Sequence, residues 1–443
     1  KIIKKNQIKK FHGLSVDTRS LKKNNLFLTI KGKNNDGSKF ISKALKKGAK
    51  QVISSKNIKT FKGKVIKVEN EIEFLNQFAI EKRNTTNAKI FAITGSAGKT
   101  SLKNLLSDLL KNFGPTLCSP KSYNNYLGVP LSISNLADYH KFGIFEVGMS
   151  KAGEIDFLTK IIRPHIGIIT NVGAAHIENF QNLKGIANAK SEIMNNIKKG
   201  GVIILNRDDK YFNYLKKISR NKELKIITFG MNKKSDIYPL AITERHNFKN
   251  LTIKAKDQIV KFKLKNINVQ NVLASIALLK ELNLDLNRIS KIFEKHEPSE
   301  GRGKIHKIQR YKKNFTLIDE SYNANPLSVM NAIKNFNSIK KVNFKKYLVL
   351  GDMLELGKKS ESLHKDLSKV INNSDIDKVF IKGSNALTTF QNIRKIKRGN
   401  IFQQDEDVDF TLNNIIANND YLMIKGSNAT NLNNLSKRMI KGI

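Results

Sequence analysis

A strand, a glycine-containing turn and a helix follow one another between residues 90 and 113. Residues 90–93 read Ile-Phe-Ala-Ile, a continuous apolar run typical of a parallel strand buried on both faces. Over 102–113, leucines and one phenylalanine recur at spacings of three and four, which predicts an amphipathic helix ending at Gly114-Pro115. A buried parallel strand followed by a helix restricts this part of the chain to an α/β fold.

The turn between the strand and the helix has the chemistry of a phosphate-binding loop. Its glycines allow backbone amides to surround phosphate oxygens, and the helix N-terminus adds positive potential. Lys99 can reach the β- and γ-phosphates of ATP, and the Thr100 hydroxyl can bind Mg²⁺. The usual P-loop pattern has a glycine at position 93, where this chain has Ile93, so we expect a shortened loop. The predicted ATP-binding residues here are Gly95, Ser96, Ala97, Gly98, Lys99, Thr100 and Ser101.

Two further α/β units flank this region. The length of the chain is consistent with three units in all, because 443 residues are close to three times the usual domain length of about 150. Polar–apolar alternation over 236–265 predicts an antiparallel appendage, and the spacing over 269–282 predicts a helix. Other apolar runs predict strands at 142–147, 166–170, 202–205, 226–229, 315–318, 347–350, 378–381 and 421–424. The predicted domain ranges are 1–85, 86–298 and 299–443.

One side chain beside this loop, Glu146, is a candidate for metal binding. Glu146 ends an apolar strand, and a carboxylate at the carboxyl edge of a sheet suits Mg²⁺ beside a phosphate loop. His176 follows the predicted strand 166–170, so it starts at the same edge. Taken alone, such a histidine is usually a hydrogen-bonded structural residue, and a helix lysine such as Lys190 usually faces solvent.

Charge first suggests nucleic acid as a partner. The chain has 80 Lys and Arg against 37 Asp and Glu, a net charge of +43. However, the basic residues are spread along the whole chain, and a nucleic-acid footprint requires clustering. The motifs instead concern small anions, so we expect no nucleic-acid partner.

Composition excludes several other classes of protein. The longest apolar runs are far shorter than the roughly 20 residues that cross a bilayer. The basic segment 1–11 is not followed by the apolar stretch of a signal peptide. One cysteine, Cys118, allows no internal disulfide. We therefore expect a cytoplasmic protein with no membrane span.

Five sequence segments, in this order, resemble those of the Mur ligases, the ATP-dependent amide-forming enzymes of peptidoglycan synthesis. The last two are the most specific, because they are similar to those of the family members that join D-alanyl-D-alanine to UDP-N-acetylmuramoyl-tripeptide. The segments are Asp17-Thr18-Arg19, Asp36-Gly37, Ala189-Lys190-Ser191-Glu192-Ile193, the stretch from Asp319 to Pro326, and the stretch from Gly351 to Gly357.

The resemblance implies three domains: an N-terminal UDP-sugar domain, a central P-loop ATPase domain and a C-terminal Rossmann-like domain. It also implies two Mg²⁺ ions, with Thr100, Glu146, His176 and Lys190 as ligands. Lys190 would be carbamylated to N6-carboxylysine, and Lys99 would act on the phosphates. The implied nucleotide contacts are Asn268, Asn271, Arg302 and Asp319. The implied substrate contacts are Asp17, Thr18, Arg19, Lys31, Gly32, Asp36, Tyr322, Asn323 and Asn325.

The chain departs from the family pattern at three positions. Ser38 stands where histidine is common, Glu320 where aspartate is common, and Asn428 where arginine is common. Alternative hypotheses for the function are a family member that adds one amino acid, a folylpolyglutamate synthase, a nucleic-acid-stimulated P-loop ATPase and a non-catalytic UDP-sugar binder. The third-domain segments disfavour the first two, and the set of metal-site residues disfavours the last. We expect a monomer, and the sequence leaves open whether the tripeptide ends in lysine or diaminopimelate.

Overall fold

A computed structural model describes residues 8–32, 35–245 and 248–442. Residues 1–7 of the basic N-terminal segment lie outside the described residues.

Three β-sheets divide the described chain into three units, and the first is small. It has four parallel strands in the order β1-β2-β3-β4. Its elements are β1 Leu14–Ser15, β2 Leu26–Leu28, α1 Ile41–Lys46, β3 Gln51–Ser54, β4 Val65–Lys67 and α2 Glu71–Thr85.

The central unit has a nine-stranded sheet in the order β13-β12-β11-β10-β9-β8-β5-β7-β6. Strands β5 to β10 are parallel, and helices cover both faces. Its elements are β5 Lys89–Thr94, α3 Lys99–Leu110, β6 Thr116–Cys118, α4 Gly128–Ser134, β7 Phe142–Glu146, α5 Glu154–Ile162, β8 Ile166–Ile169, α6 Leu183–Ser191, β9 Val202–Asn206, α7 Phe212–Asn221, β10 Lys225–Phe229, β11 Ile237–Arg245, β12 Phe248–Ala255, β13 Gln258–Leu264, α8 Val269–Glu281 and α9 Ser290–Lys295.

The antiparallel segment predicted over 236–265 is present as strands β11 to β13. These strands continue the central sheet through a parallel contact between Phe229 and Ile237. One other feature of this unit differs from the sequence pattern. Helix α3 begins at Lys99, three residues before the first leucine of the apolar face. Its first turn carries Lys99, Thr100 and Ser101, none of which is apolar, so apolar spacing does not reveal it.

The third unit has six strands in the order β14-β15-β19-β16-β17-β18. All its neighbouring strands are parallel except the hairpin of β14 and β15. Its elements are β14 Lys304–Arg310, β15 Lys313–Glu320, α10 Pro326–Asn337, β16 Lys346–Gly351, α11 Ser360–Asn372, β17 Lys378–Lys382, α12 Ala386–Asn392, β18 Arg398–Phe402, α13 Asp405–Ile415, β19 Tyr421–Lys425 and α14 Leu432–Lys441.

The α/β architecture predicted from the sequence is confirmed. Apolar runs such as Phe91, Ile93, Ile168 and Ile204 are fully or almost fully buried in the central sheet, as expected for strands covered on both faces. Since the strands are parallel, their carboxyl ends meet along one edge. In the described part of the chain, no helix combines the length and apolar character needed to cross a membrane.

The first unit is attached to the central unit through apolar and polar contacts. Leu131 of α4 packs in the core of the first unit. Just after α4, the Asn135 amide donates to the Leu14 carbonyl at 3.1 Å and accepts from the Leu14 N–H at 2.9 Å. One side chain therefore satisfies two backbone groups of β1.

Replacing Asn135 with alanine should loosen this attachment. It leaves both backbone groups of buried Leu14 unpaired, at an expected cost of about 1–3 kcal/mol. We expect a lower melting temperature and faster tryptic cleavage within residues 8–85. The control is Asn400→Ala, which removes an exposed amide from strand β18. Equal melting temperatures and cleavage rates for the two variants would contradict this role.

Candidate active site

One cavity of about 1860 Å³ lies between the central and third units. The turn between β5 and α3, residues 95–101, forms part of its wall. Lys99 lies in this turn, and its ammonium donates to the Gly95 carbonyl at 2.8 Å. Burial lowers the pKa of Lys99, while the Glu146 carboxylate opposes that effect. The turn therefore presents backbone N–H groups and the half-buried ammonium of Lys99 to one cavity, as a phosphate site requires.

The end of strand β8 holds this turn in shape. The Thr170 hydroxyl donates to the Ala97 carbonyl at 2.7 Å. The Asn171 side chain accepts from the Ala97 N–H at 2.9 Å and donates to the Ala97 carbonyl at 3.1 Å. Gly95 has φ +146°, and a Cβ there would lie 1.9 Å from the Thr170 hydroxyl oxygen. Only glycine allows this close approach of the loop to β8.

Thr100 and Glu146 meet at the base of the cavity. The Thr100 hydroxyl donates to Glu146 Oε2 at 2.8 Å, and Asn124 donates to Glu146 Oε1 at 2.8 Å. Both Thr100 and Glu146 are almost completely buried. Asn124 thus orients a carboxylate that stands beside the phosphate loop.

His176 and Lys190 line the same cavity. Burial lowers the pKa of His176, against the effect of the Glu355 carboxylate, whose Oε2 lies 2.6 Å from His176 Nδ1. Burial, and then the charge of Lys99, lower the pKa of Lys190 well below its usual value; Asp209 acts in the opposite sense. Among the described residues, the Lys190 ammonium has no hydrogen bond or ion pair. It is a buried cation without a partner.

The start of helix α8 lies beside the phosphate loop. Asn268 and Asn271 both line the cavity. The Asn268 side-chain oxygen caps α8 by accepting from the N–H groups of Gln270 and Asn271, so its Nδ2 is the group left for a ligand. A Cβ on Gly98 would lie 3.3 Å from Asn271 Oδ1, which places Asn271 against the loop.

The third unit closes over the loop from the opposite side. Asn325 donates to the Ser96 carbonyl at 3.0 Å and also caps helix α10. Arg302 stacks on the Tyr322 ring at 4.3 Å from its centroid, and its guanidinium lies 3.5 Å from the Ser122 hydroxyl of the central unit. These third-unit side chains therefore lie beside the phosphate loop.

Asp319, which the resemblance implies as a nucleotide contact, is almost completely buried. Its carboxylate does not line the cavity. It accepts hydrogen bonds from the Gly301 N–H at 2.8 Å and the Ser321 hydroxyl at 2.5 Å. Asp319 therefore shapes the turn that carries Arg302.

Two of the departures from the family pattern have local partners. Glu320 lies in the cavity wall with Oε2 3.3 Å from the ammonium of buried Lys425, which also donates to the Asn323 carbonyl at 2.7 Å. Asn428 is exposed and accepts a hydrogen bond from Asn433 at 2.8 Å.

The predicted sugar-binding residues lie away from this cavity. Within the described residues, no member of the first unit lines it. Asp17 forms a 2.7 Å ion pair with Arg19, next to buried Thr18, and the charge of Lys121 in the central unit also acts on Asp17. Asp36 pairs with Lys56 at 2.6 Å, and Lys56 also donates to Ser38. Lys31 forms an isolated antiparallel β-bridge with Asp36, and the Gly32 N–H donates to the Asn35 carbonyl at 2.8 Å.

The donor set of the cavity fits a divalent cation. A hydroxyl, a carboxylate and an imidazole, from Thr100, Glu146 and His176, face one space, and oxygen donors are those that Mg²⁺ prefers. An ammonium at Lys190 would oppose a cation there, whereas a carboxylate would attract one.

Comparison with known proteins places this geometry in a family. Three family models match the chain: "Mur ligase family, catalytic domain" over 10–83, "Mur ligase middle domain" over 93–279, and "Mur ligase, glutamate ligase domain" over 303–428. The UDP-N-acetylmuramoyl-tripeptide--D-alanyl-D-alanine ligase of Buchnera aphidicola subsp. Baizongia pistaciae is 33% identical over 437 residues, which are 97% of this chain and 92% of the relative. The chain belongs to the Mur ligase family.

Two other Mur ligases are similar over nearly their whole lengths. The enzyme of the same name from Rickettsia prowazekii is 31% identical, with 95% of this chain and 93% of the relative covered. The crystal structure of MurF from Acinetobacter baumannii superposes with a TM-score of 0.84 at 27% identity, covering 97% of this chain and 93% of that one. The three-domain Mur ligase fold predicted from the sequence is therefore confirmed.

Several residues of this Mur ligase site carry no motif that sequence reasoning recognised. Asn124, Asn171 and Asp209 all line the cavity. Asn171 immediately follows a buried strand, and that position was the available signal. Asn124 lies in a loop without a recognisable pattern, and only its contact with Glu146 reveals it.

Replacing Asn171 with alanine should weaken nucleotide binding. The loop loses two hydrogen bonds, each worth about 0.5–1.5 kcal/mol, so the Kd for ADP should rise on the order of tenfold. Isothermal titration calorimetry measures this change. Asn221→Ala, at the exposed end of α7, is the control. An unchanged Kd in Asn171→Ala would show that the loop holds its shape without this side chain.

Proposed function

We propose that this Mur ligase joins D-alanyl-D-alanine to UDP-N-acetylmuramoyl-tripeptide with the hydrolysis of ATP to ADP and phosphate. The observation that carries the proposal is the hydrogen bond from Asn325 to the Ser96 carbonyl. This hydrogen bond holds the stretch from Asp319 to Pro326 against the phosphate loop. That stretch is typical of ligases that use D-alanyl-D-alanine. The names of the Buchnera and Rickettsia relatives support the same pair of substrates.

The first step is transfer of a phosphoryl group to the substrate. The terminal carboxylate of the tripeptide attacks the γ-phosphorus of ATP, the bond to the β,γ-bridging oxygen breaks, and an acyl phosphate and ADP result. Lys99 neutralises charge on the phosphoryl group, and the backbone N–H groups of residues 95–100 orient it. Phosphoryl transfer needs mainly such positioning and charge stabilisation. Asn268 and Asn271, which line the same cavity, would contact the adenine ring.

The second step forms the amide. The amine of D-alanyl-D-alanine attacks the acyl carbon, a tetrahedral intermediate forms, and phosphate leaves as the amine loses a proton. The turn carrying Arg302 and the loop carrying Tyr322 and Asn325 close the cavity from the third unit. They exclude water that would hydrolyse the acyl phosphate.

Thr100, Glu146 and His176 would hold Mg²⁺, together with Lys190 as its carbamate. When bound, the ions supply positive charge to the phosphate oxygens. Carbamylation joins the Lys190 amine nitrogen to the carbon of CO₂ and releases one proton. Burial holds the pKa of Lys190 well below its usual value, which favours the neutral amine that reacts with CO₂, and the nearby charge of Lys99 favours the negative carbamate that forms.

The first unit would bind the UDP-sugar through Asp17, Thr18, Arg19, Lys31, Gly32 and Asp36. Its Asp17 lies close enough to Lys121 for their charges to interact, and the neighbouring Ser122 and Asn124 line the cavity. A substrate that is bound by the first unit can therefore extend its peptide towards the phosphate loop. We further propose that the enzyme acts as a monomer in the cytoplasm, where both ATP and CO₂ are available.

The function predicts phosphate release from ATP only when both substrates are present. The assay supplies UDP-N-acetylmuramoyl-tripeptide with and without D-alanyl-D-alanine, using lysine- and diaminopimelate-terminated tripeptides in separate reactions. Mass spectrometry should detect the pentapeptide product, and Lys99→Ala should abolish it. Phosphate release that ignores the dipeptide, or that requires added RNA or DNA, would overturn the assignment.

Replacing Lys190 with alanine should reduce ligase activity at least a hundredfold, because a metal ligand is lost. Added short carboxylic acids should restore part of the activity by occupying the vacated volume. In the unaltered enzyme, equilibration with ¹³C-bicarbonate should give a carbamate signal in the ¹³C NMR spectrum. Lys184→Ala, at an exposed position of the same helix α6, is the control. A Lys190→Ala enzyme with full activity, or no carbamate signal, would contradict the carbamate.

A further inference from the structure

Lys103 is a buried cation that has no part in the mechanism above. It lies in helix α3, one turn after Lys99, and its side chain is completely inaccessible to solvent. Fully buried neighbours on the same helix are apolar, such as Leu102 and Leu106. Packing of the helix alone would favour an apolar residue at position 103 as well, because burial of an ammonium is costly. A lysine at this position is therefore explained by the groups that its ammonium binds.

The ammonium of Lys103 binds the segment 119–124, which follows strand β6. It donates to the Ser119 carbonyl at 2.6 Å and also to the Lys121 carbonyl. Lys121 is exposed and has φ +46°, in the left-handed region, which is unfavourable for residues other than glycine. Lys103 thus holds the segment in a backbone conformation that the sequence of the segment does not itself favour.

The segment ends at Asn124, which orients Glu146. The Asn124 side-chain amide donates to Glu146 Oε1 at 2.8 Å. The Asn124 carbonyl accepts from the Gly148 N–H at 2.8 Å, and a Cβ on Gly148 would lie 2.9 Å from Asn124 Cγ. The contact with Glu146 therefore depends on a closely defined position of the Asn124 backbone.

The same segment also contacts the first and third units. The Tyr123 ring packs against the core of the first unit, and the Ser122 hydroxyl lies 3.5 Å from the Arg302 guanidinium of the third. Burial lowers the pKa of Lys103, while the charge of Glu146 opposes that effect and the charge of Arg302 adds to it. The ammonium of Lys103 is therefore close to the candidate metal ligand as well as to the segment that orients it.

We propose that Lys103 is a positioning residue for the ligase reaction. Its ammonium fixes the segment 119–124 in the place from which Asn124 holds the Glu146 carboxylate beside the phosphate loop. Because Lys99 and Lys103 belong to one helix, α3 determines the position of the phosphate loop and, through this segment, the orientation of the carboxylate. The inference rests on the proposed metal role of Glu146.

The first test measures Mn²⁺ affinity in the presence of ADP, by electron paramagnetic resonance, without turnover. Lys103→Met keeps the apolar stem and removes the ammonium. We expect about tenfold weaker binding, since loss of a partner that orients a metal ligand typically weakens metal binding 10–100-fold. Asn124→Ala should weaken binding to the same extent. The control is Lys111→Met, the same change at an exposed position directly after α3.

The double variant Lys103→Met/Asn124→Ala distinguishes positioning from a general loss of structure. If Lys103 acts through Asn124, the double variant should bind Mn²⁺ about as weakly as each single variant, because residues that act as a unit are not additive. Independent effects would multiply to about a hundredfold and would contradict the proposal. Normal Mn²⁺ affinity in Asn124→Ala would contradict it too, however well Lys103→Met folds.

The second test follows the segment itself by limited proteolysis. Trypsin cleaves after lysine, and Lys121 is exposed within the segment. In Lys103→Met, cleavage between Lys121 and Ser122 should be severalfold faster, as measured by mass spectrometry of the fragments. Asn124→Ala retains Lys103 and should be cleaved at the unaltered rate. Equal rates at this bond in Lys103→Met and the unaltered protein would overturn the proposal, because the segment would then keep its shape without the ammonium.

These outcomes separate this inference from the proposed function. If the unaltered enzyme makes no pentapeptide but Lys103→Met and Asn124→Ala bind Mn²⁺ equally weakly, the substrates are wrong and the positioning role stands. If it makes pentapeptide and Lys103→Met binds Mn²⁺ normally, the function stands and the positioning role fails.

Discussion

The site depends first on the hydrogen bonds by which the end of strand β8 holds the phosphate loop. Thr170 and Asn171 make three hydrogen bonds to Ala97, and Gly95 lies so close to Thr170 that no Cβ fits between them. These contacts fix the position at which Lys99 and Thr100 begin helix α3. The Thr100 hydroxyl then reaches Glu146 at the end of β7, because β7 and β8 both flank β5 in the sheet. Three neighbouring strand ends therefore determine one phosphate loop and the candidate metal site beside it.

The third unit completes this site through a few polar contacts. Asn325 binds the loop at Ser96, Arg302 reaches Ser122, and Glu355 meets His176. Each of these residues comes from a turn beside the carboxyl edge of the third sheet. Two sheet edges thus face each other across the cavity. Such an arrangement suits a reaction in which a reactive acyl phosphate must be kept from water.

The net charge of +43 has little to do with the chemistry. Three lysines around the site, Lys103, Lys190 and Lys425, are almost completely buried, and each has a different environment. Lys425 donates to Glu320 and Asn323, and Lys103 donates to the Ser119 carbonyl at 2.6 Å. Lys190 has no such partner among the described residues, and that contrast supports its carbamylation. The exposed basic residues are a solvated background that contributes at most to steering of anionic substrates.

The sequence by itself determined the α/β class, the phosphate loop and the family to which the protein belongs. These follow from local patterns: a buried apolar run, a glycine turn, a helical repeat and short contiguous motifs. Local patterns did not predict β14 or β18, because edge and hairpin strands with mixed polarity lack a continuous apolar run. They also did not reveal that Asp319 supports the turn of Arg302 and lies outside the cavity wall. Only the tertiary structure decided that Asn124 holds Glu146 and that Glu355 meets His176. Glu355 and His176 lie far apart in the chain, and the docking of two separately folded units brings them together.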